Sequence, residues 1–264
     1  MNAHVRPATT ANLVALGTIM RREVARILRI WTQTLLPSAI TMTLYFVIFG
    51  RMVGSRIGDI VPGVSYIDYI VPGLIMMAVI TNSYGNISSS FFGAKFGRYV
   101  EEMLASPMPS WVILTGYVGG TVLRGVLVAV IVLLISLFFT RIHLYHPWIT
   151  LSSVLLTSVV FSLAGFVNAV FAKKFDDIAL VPTFVLAPLT YLGGVFYSVN
   201  ALGSPWREIS HANPILYMVN AFRYGLLGIS DVPLGIAYGV MAGFAVVLAG
   251  IGLYLLERGV GLRS

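Results

Sequence analysis

The sequence predicts an all-α polytopic membrane protein: six transmembrane helices, an N-terminal amphipathic interface helix and re-entrant helices on the outer side. Three observations carry that expectation. Hydrophobic residues fill 58% of the 264 positions and charged residues only 10%, against about 45–50% and about 25% in soluble domains, too few charges to cover a water-exposed surface. Apolar runs near the ~20 residues a bilayer crossing needs recur along the chain. Basic residues collect preferentially on one side of those runs. Mean hydropathy of +0.89 agrees, and no charged stretch is long enough for a large soluble domain.

Residues 1–12 are polar and mixed and are expected as a flexible tail, with no signal peptide: the first long apolar run begins near Leu35 without a small-residue cleavage pattern. Over 13–30, Leu13, Leu16, Ile19, Met20, Val24, Ile27 and Leu28 recur at helical spacing, with Arg21, Arg22, Arg26 and Arg29 between them. That is the pattern of a helix lying in the membrane interface. The membrane domain then occupies 31–264, with spans expected at about 31–51, 67–92, 110–139, 148–172, 178–198 and 232–256. The second is apolar at first (IVPGLIMMAVI) and then polar (TNSYGNISSS).

The stretch 213–229 is apolar but short, opens with Asn213-Pro214 and contains Arg223. Counting it as a span would put the two termini on opposite sides. With six spans, eleven of the 17 basic residues fall on the inner side, Arg6, Lys95, Arg98, Lys173, Lys174, Arg258 and Arg263 among them, as the positive-inside rule asks. Both termini are therefore expected in the cytoplasm. The segment 199–231 becomes an outer-side element dipping into the membrane against the fifth and sixth spans, where backbone is tolerated only against protein or a cavity. The net charge of +7 points to anionic lipid and not to nucleic acid. No internal repeat is visible, and one six-span unit is small for a pathway, so a homodimer is expected.

The residues limit the chemistry. There is no cysteine, hence no disulfide or thiolate metal site. Each of the three lysines, Lys95, Lys173 and Lys174, follows alanine or lysine, so a Walker A loop, which needs Gly-Lys, is absent. If ATP drives this chain, another subunit binds it. All ten acids read as lying at span ends or in loops, which weakens an ion-coupled carrier, since such carriers place carboxylates in mid-membrane. His143 and His146 lack further ligands for a metal, and no catalytic constellation stands out, so no enzymatic activity is expected.

Four features invite function. The loop after the second span reads FFGAKFGRYVEEMLASPMPSW; Lys95, Arg98, Glu101 and Glu102 recur at helical spacing, Phe96, Tyr99 and Met103 interleave, and Pro107 and Pro109 stop the helix. It is either a solvated connector or a knob for a partner's groove. Arg124 alone is a charge well inside a span; it is either a structural partner of a carbonyl or a cationic lining for substrate or the dimer seam. Asn82, Asn86 and Ser90 share one helical face, as interhelical glue or a substrate-facing stripe. Gly119-Gly120 and Gly193-Gly194 read as close packing or a kink.

From Leu186 to Arg223 the sequence resembles the signature of type-2 ATP-binding-cassette (ABC-2) transporter permeases, through Leu186, Leu189, Leu192-Gly193, Val195, Leu202-Gly203, Pro214-Ile215, Tyr217 and Arg223. Longer strings (IVPGLIMM, SSSFFGAKF, FRYGLLGISDVPL, RGVGLRS) extend the likeness from about Leu13 to Ser264. The resemblance implies an exporter permease of the six-span type V fold in the bacterial inner membrane. It implies a dimer paired with two copies of a separate cassette ATPase, which uses the ATP and magnesium; no cofactor is implied for this chain. It implies that the helix around Lys95, Phe96, Arg98, Tyr99, Glu101, Glu102, Met103 and Leu104 couples to that ATPase. The arginines of 13–30 would sit on a second contact. The competing reading is an ATP-independent carrier or channel; a non-transporting scaffold is a third.

Overall fold

The computed structural model describes residues 8–61, 63–142 and 144–262. Among these described residues, six helices are long and apolar enough to cross a membrane. Helix α1 (Ala8–Arg29) begins earlier than expected: residues 8–12, assigned above to the flexible tail, already form its first turn. After a kink at Ile30, α2 (Trp31–Ile57) runs as the first span, widening into a π-helical stretch over Phe46–Val53. Among the described residues the only sheet is a hairpin the sequence did not suggest, β1 (Asp59–Val61) against β2 (Val64–Ser65).

Helix α3 (Tyr66–Phe96) is the mast of the bundle. Ser65 caps it, accepting the Asp68 backbone N–H at 3.3 Å and donating to the Asp68 carboxylate at 2.6 Å, which satisfies an otherwise orphan first-turn donor. Around α3 pack α5 (Ser110–Ser136), α6 (Pro147–Phe171) and α9 (Pro214–Leu227). Small residues permit this: a Cβ on Gly165 of α6 would lie 2.5 Å from the Tyr84 carbonyl, and Ser88 donates to the Gly165 carbonyl at 3.0 Å. Close backbone approach and interhelical hydrogen bonds replace the hydrophobic effect where the solvent is lipid.

The fifth span, α7 (Phe175–Leu192), starts where Asp177 collects the Lys173 and Lys174 backbone N–H groups at 2.8 and 3.0 Å, and loosens into a π-turn at Pro182–Leu186. It ends at Gly193 and Gly194, the latter at φ +70°, a conformation glycine adopts without steric cost. A short helix α8 (Trp206–His211) precedes α9, whose first turn is capped by Asn213 accepting from Ile215 at 3.0 Å. The last span is α10 (Leu234–Arg258); beyond it the tail folds back and buries Leu262 near Val170.

Helix α9 packs on the sixth span, α10, as the sequence suggested, but its other chief neighbours are α6 and α3, and the fifth span, also expected, is a lesser one. Gly225 explains the choice: a Cβ there would stand 2.5 Å from Thr150 Oγ1 and 2.7 Å from its backbone nitrogen, so α9 lies directly on the start of α6.

Two apolar clusters fill the bundle. One, around Ile70, Leu74, Ile80, Leu216 and Phe222, occupies the end where α8 and α9 lie. The other, around Phe91, Ile113, Tyr117, Phe166 and Leu256, occupies the end where α1 and the C-terminal tail meet the bundle. Between them run buried Asn82, Ser83, Asn86, Thr121, Arg124, Thr157, Ser158 and Ser162.

Candidate functional site

Three polar sites emerge from this packing. At the first, Arg124 on α5 is only 9% exposed. Its guanidinium donates to Asn86 Oδ1 at 3.0 Å, Asn82 Oδ1 at 2.9 Å and the Thr34 carbonyl at 3.2 Å, joining α5 to α3 and α2. Asn82 in turn donates to Ser38 Oγ at 2.9 Å and Asn86 to Thr121 Oγ1 at 3.0 Å. Arg26 of α1 reaches the same Asn86 Oδ1 at 2.7 Å while paired with Glu23 at 3.0 Å. Ser90 donates to the Glu23 carboxylate at 2.7 Å, and Arg22 contacts both Glu23, at 3.5 Å, and the Tyr117 hydroxyl. The face of Asn82, Asn86 and Ser90 is therefore turned into the protein, bonded to two arginines and a glutamate.

Glu23 is the residue that sequence reading missed. Grouped with acids at span ends and loops, it is in fact buried to 1% exposure. It belongs to the Ile19–Glu23–Ile27 stripe with which α1 grips α5, against Gly120, where a Cβ would sit 2.4 Å from that of Glu23. A carboxylate four residues from an apolar neighbour on each side, on the apolar face of an amphipathic helix, was the available signal. A buried carboxylate needs partners, and Arg26, Arg22 and Ser90 supply them.

At the second site the expected helix around Lys95–Leu104 divides in two. Lys95 and Phe96 finish α3; Gly97 stops it, and Arg98 turns the chain at φ +61° into a separate helix α4 (Tyr99–Ala105). Lys95 donates to the Val170 and Ala172 carbonyls at 2.6 and 2.9 Å, capping the C-terminal end of α6, where a cation meets the negative end of the helix dipole. Val100 is the buried anchor of α4, with Met103 and Leu104 partly covered behind it. Phe96 (68% exposed) and Tyr99 (58%) face outward beside exposed Arg98, Glu101 and Glu102, and Phe96 packs on Phe175 at 5.4 Å.

The third site collects the signature residues at the opposite end. Arg223 of α9 is 1% exposed; it donates to the Gly194 carbonyl at 2.6 Å and lies over the Tyr69 ring at 4.0 Å. Gly193 ends α7 against Ile215, Pro214 opens α9 at its first turn, where its missing N–H leaves no bond unmade, and Tyr217 donates to the His211 carbonyl at 2.7 Å. Asp231 receives Tyr69 (3.2 Å), Ser198 (2.8 Å) and the Val199 backbone N–H (3.1 Å). A 780 Å³ cavity opens beside Arg223 and Asp231.

The remaining basic residues of α1, Arg21 and Arg29, are exposed. His146 stacks on Tyr224 at 5.4 Å; His143, Arg6 and Arg263 lie outside the described residues. Among the described residues no three histidine or carboxylate side chains gather as a metal would need.

A sequence model of the family described as "ABC-2 type transporter" matches residues 14–227. The chain is 58% identical over 252 residues to the inner membrane transport permease YadH of Escherichia coli K12, covering 95% of this chain and 98% of that protein, and equally so to its Shigella flexneri counterpart. It is 22% identical over 257 residues to nodulation protein J of Rhizobium meliloti, covering 96% and 95% of the two chains. With the six apolar helices and the signature residues assembled around Arg223, these likenesses establish that the chain belongs to the ABC-2 type transporter family, as a multi-pass membrane permease.

Proposed function

We propose that this permease is the membrane half of an ATP-driven exporter of the inner membrane, with both termini in the cytoplasm, working as a homodimer on two copies of a separate cassette ATPase that holds ATP and magnesium. The observation that carries this reading is α4: a short helix anchored by Val100 that offers Tyr99, Glu101 and Glu102 outward, beside Phe96 at the foot of α3, at the end where α1 and the C-terminal tail meet the bundle. Aromatic and charged side chains on a firmly seated helix suit a partner's groove.

Closure of the two ATPases on ATP would push on α4 and on α1. The Arg98 turn lets α4 tilt against the foot of α3 without unwinding it. Through Glu23, Arg26 and Asn86, α1 is bonded to Arg124 and thereby to the Thr34 carbonyl of α2. Movement at the cytoplasmic face would thus reach the first span, whose apolar face is mostly uncovered and stands ready for lipid or a second copy. Arg124 and Asn82 act here as linkage and not as a lining for substrate.

The experiment is co-expression with a candidate cassette ATPase from the same organism. Wild type should co-purify with it, and Glu101→Lys combined with Glu102→Lys should lose the complex and the ATPase stimulation while keeping its thermal stability in detergent. Unchanged co-purification would overturn the α4 assignment, and transport without any ATPase would favour a carrier or channel.

A further inference from the structure

A 350 Å³ cavity lies between α1, α3 and α4, lined by Arg22, Glu23, Arg26, Arg29, Ser89, Ser90 and Tyr99, with Gly93 and Ala94. Three guanidinium groups face one carboxylate. Glu23 is already held by Ser90 at 2.7 Å and Arg26 at 3.0 Å, so the lining carries an excess of two positive charges. Arg29 is the informative member: it is exposed, and among the described residues its side chain has no hydrogen bond, ion pair or ring contact, so it is free to turn toward a ligand. Beside the two arginines already fixed by Glu23, exposed Arg29 leaves a place for an anionic group. Guanidinium forks match phosphate oxygens in geometry as well as charge. Tyr99 lines the same cavity and its hydroxyl adds a neutral donor, while the Ser89 hydroxyl is spent on the Gly85 carbonyl at 2.8 Å.

We infer that this cavity binds a phosphate group, from an anionic phospholipid headgroup or from a soluble phosphate ester. The lipid source is favoured by the neighbouring surface: Leu28 (58% exposed) and Trp31 (54%) follow Arg26 on the same stretch of chain and offer an apolar ledge for acyl chains, while juxtamembrane arginines draw anionic lipid. The site stands on side-chain geometry, independent of the direction of transport, so its test reads binding alone.

The full-length protein in detergent is titrated with phosphatidylglycerol or phosphatidylcholine by native mass spectrometry, and with glycerol 1-phosphate by calorimetry. Phosphatidylglycerol should bind in preference to phosphatidylcholine. Arg29→Gln, which removes a group with no partner in the fold and should leave thermal stability unchanged, should weaken it roughly tenfold. Arg29→Lys should fall between, and Arg21→Gln, whose side chain is not among those lining the cavity, should match wild type. Arg29-dependent binding of glycerol phosphate without lipid preference would support the phosphate site with the soluble source. Equal losses from Arg29→Gln and Arg21→Gln, or no dependence on Arg29 for either probe, would overturn it.

Discussion

Arg124 and Arg223 are both buried, and both leave Nε without a partner among the described residues, yet the two are anchored in different ways. Arg223 holds backbone: its donor goes to the Gly194 carbonyl and its face to Tyr69, while Asp231 beside it ties down the turn at Ser198–Val199. Arg124 holds mostly side chains, sharing Asn86 Oδ1 with Arg26 of a helix that lies outside the bundle. The Gly194 carbonyl belongs to the tight turn that follows α7 and moves only if that turn is remade. Amides and carboxylates exchange partners by rotating χ angles. The lesson is a division of labour: the Arg223 end is built as a fixed lid, and the Arg124 end as a joint.

The strongest way to break this contrast is Arg223→Ala, which leaves the Gly194 carbonyl unanswered and a cavity against Tyr69. It should cost about 3–5 kcal/mol in detergent unfolding and sharply reduce membrane yield. Arg223→Lys should recover little, because an ammonium reproduces neither the stacking plane nor the fork. If Arg124→Ala proves equally costly, the joint is as structural as the lid.

A pair of glycines sharpens it next. Gly225→Ala drives a methyl into Thr150 backbone within the bundle, whereas Gly120→Ala drives one against the Cβ of Glu23 and so against α1 as a whole, which packs on α5 from outside. The first should lower stability by about 1–3 kcal/mol, as overpacking does. The second should lower it less and instead lift α1 from α5, seen as faster proteolysis near Arg26 in limited digestion.

The finest test is a double-mutant cycle between Asn86→Leu and Arg26→Gln, read by thermal unfolding. Interhelical hydrogen bonds in membranes average about 0.6 kcal/mol, and a shared acceptor should raise the coupling to about 1 kcal/mol. Thr121→Val, which removes a peripheral bond to Asn86, should cost only a few tenths of a kcal/mol and leave ATPase stimulation in the complex intact.

Much of this was legible in the sequence because the bilayer imposes it. Apolar length marks a span, a lone intramembrane arginine marks a polar centre, and the Leu186–Arg223 spacing marks the family. Partner choice was not legible. Periodicity put Asn82, Asn86 and Ser90 on one face but could not say that α1 and Arg124 would occupy it. Glu23 read as one more surface charge among arginines, since burial is a property of the facing helix and its glycines. The split at Gly97–Arg98 was hidden because charges at helical spacing continue across it, while a single left-handed residue decides the geometry.

The mast helix α3 has one more consequence. It has the lowest mean hydropathy of the six candidate spans, 1.3 against 2.5 for α5, and it is the most enclosed, with 83% of its apolar window buried. A helix shielded by protein needs no lipid-compatible surface, and that is what permits its amides and serines. The same shielding makes it the least able to enter a bilayer alone, since its polar half is matched only when α1, α5 and α6 are in place. During synthesis the helix on which everything else packs must therefore wait for segments translated after it, and insertion of this chain becomes a cooperative event in which the centre is completed last.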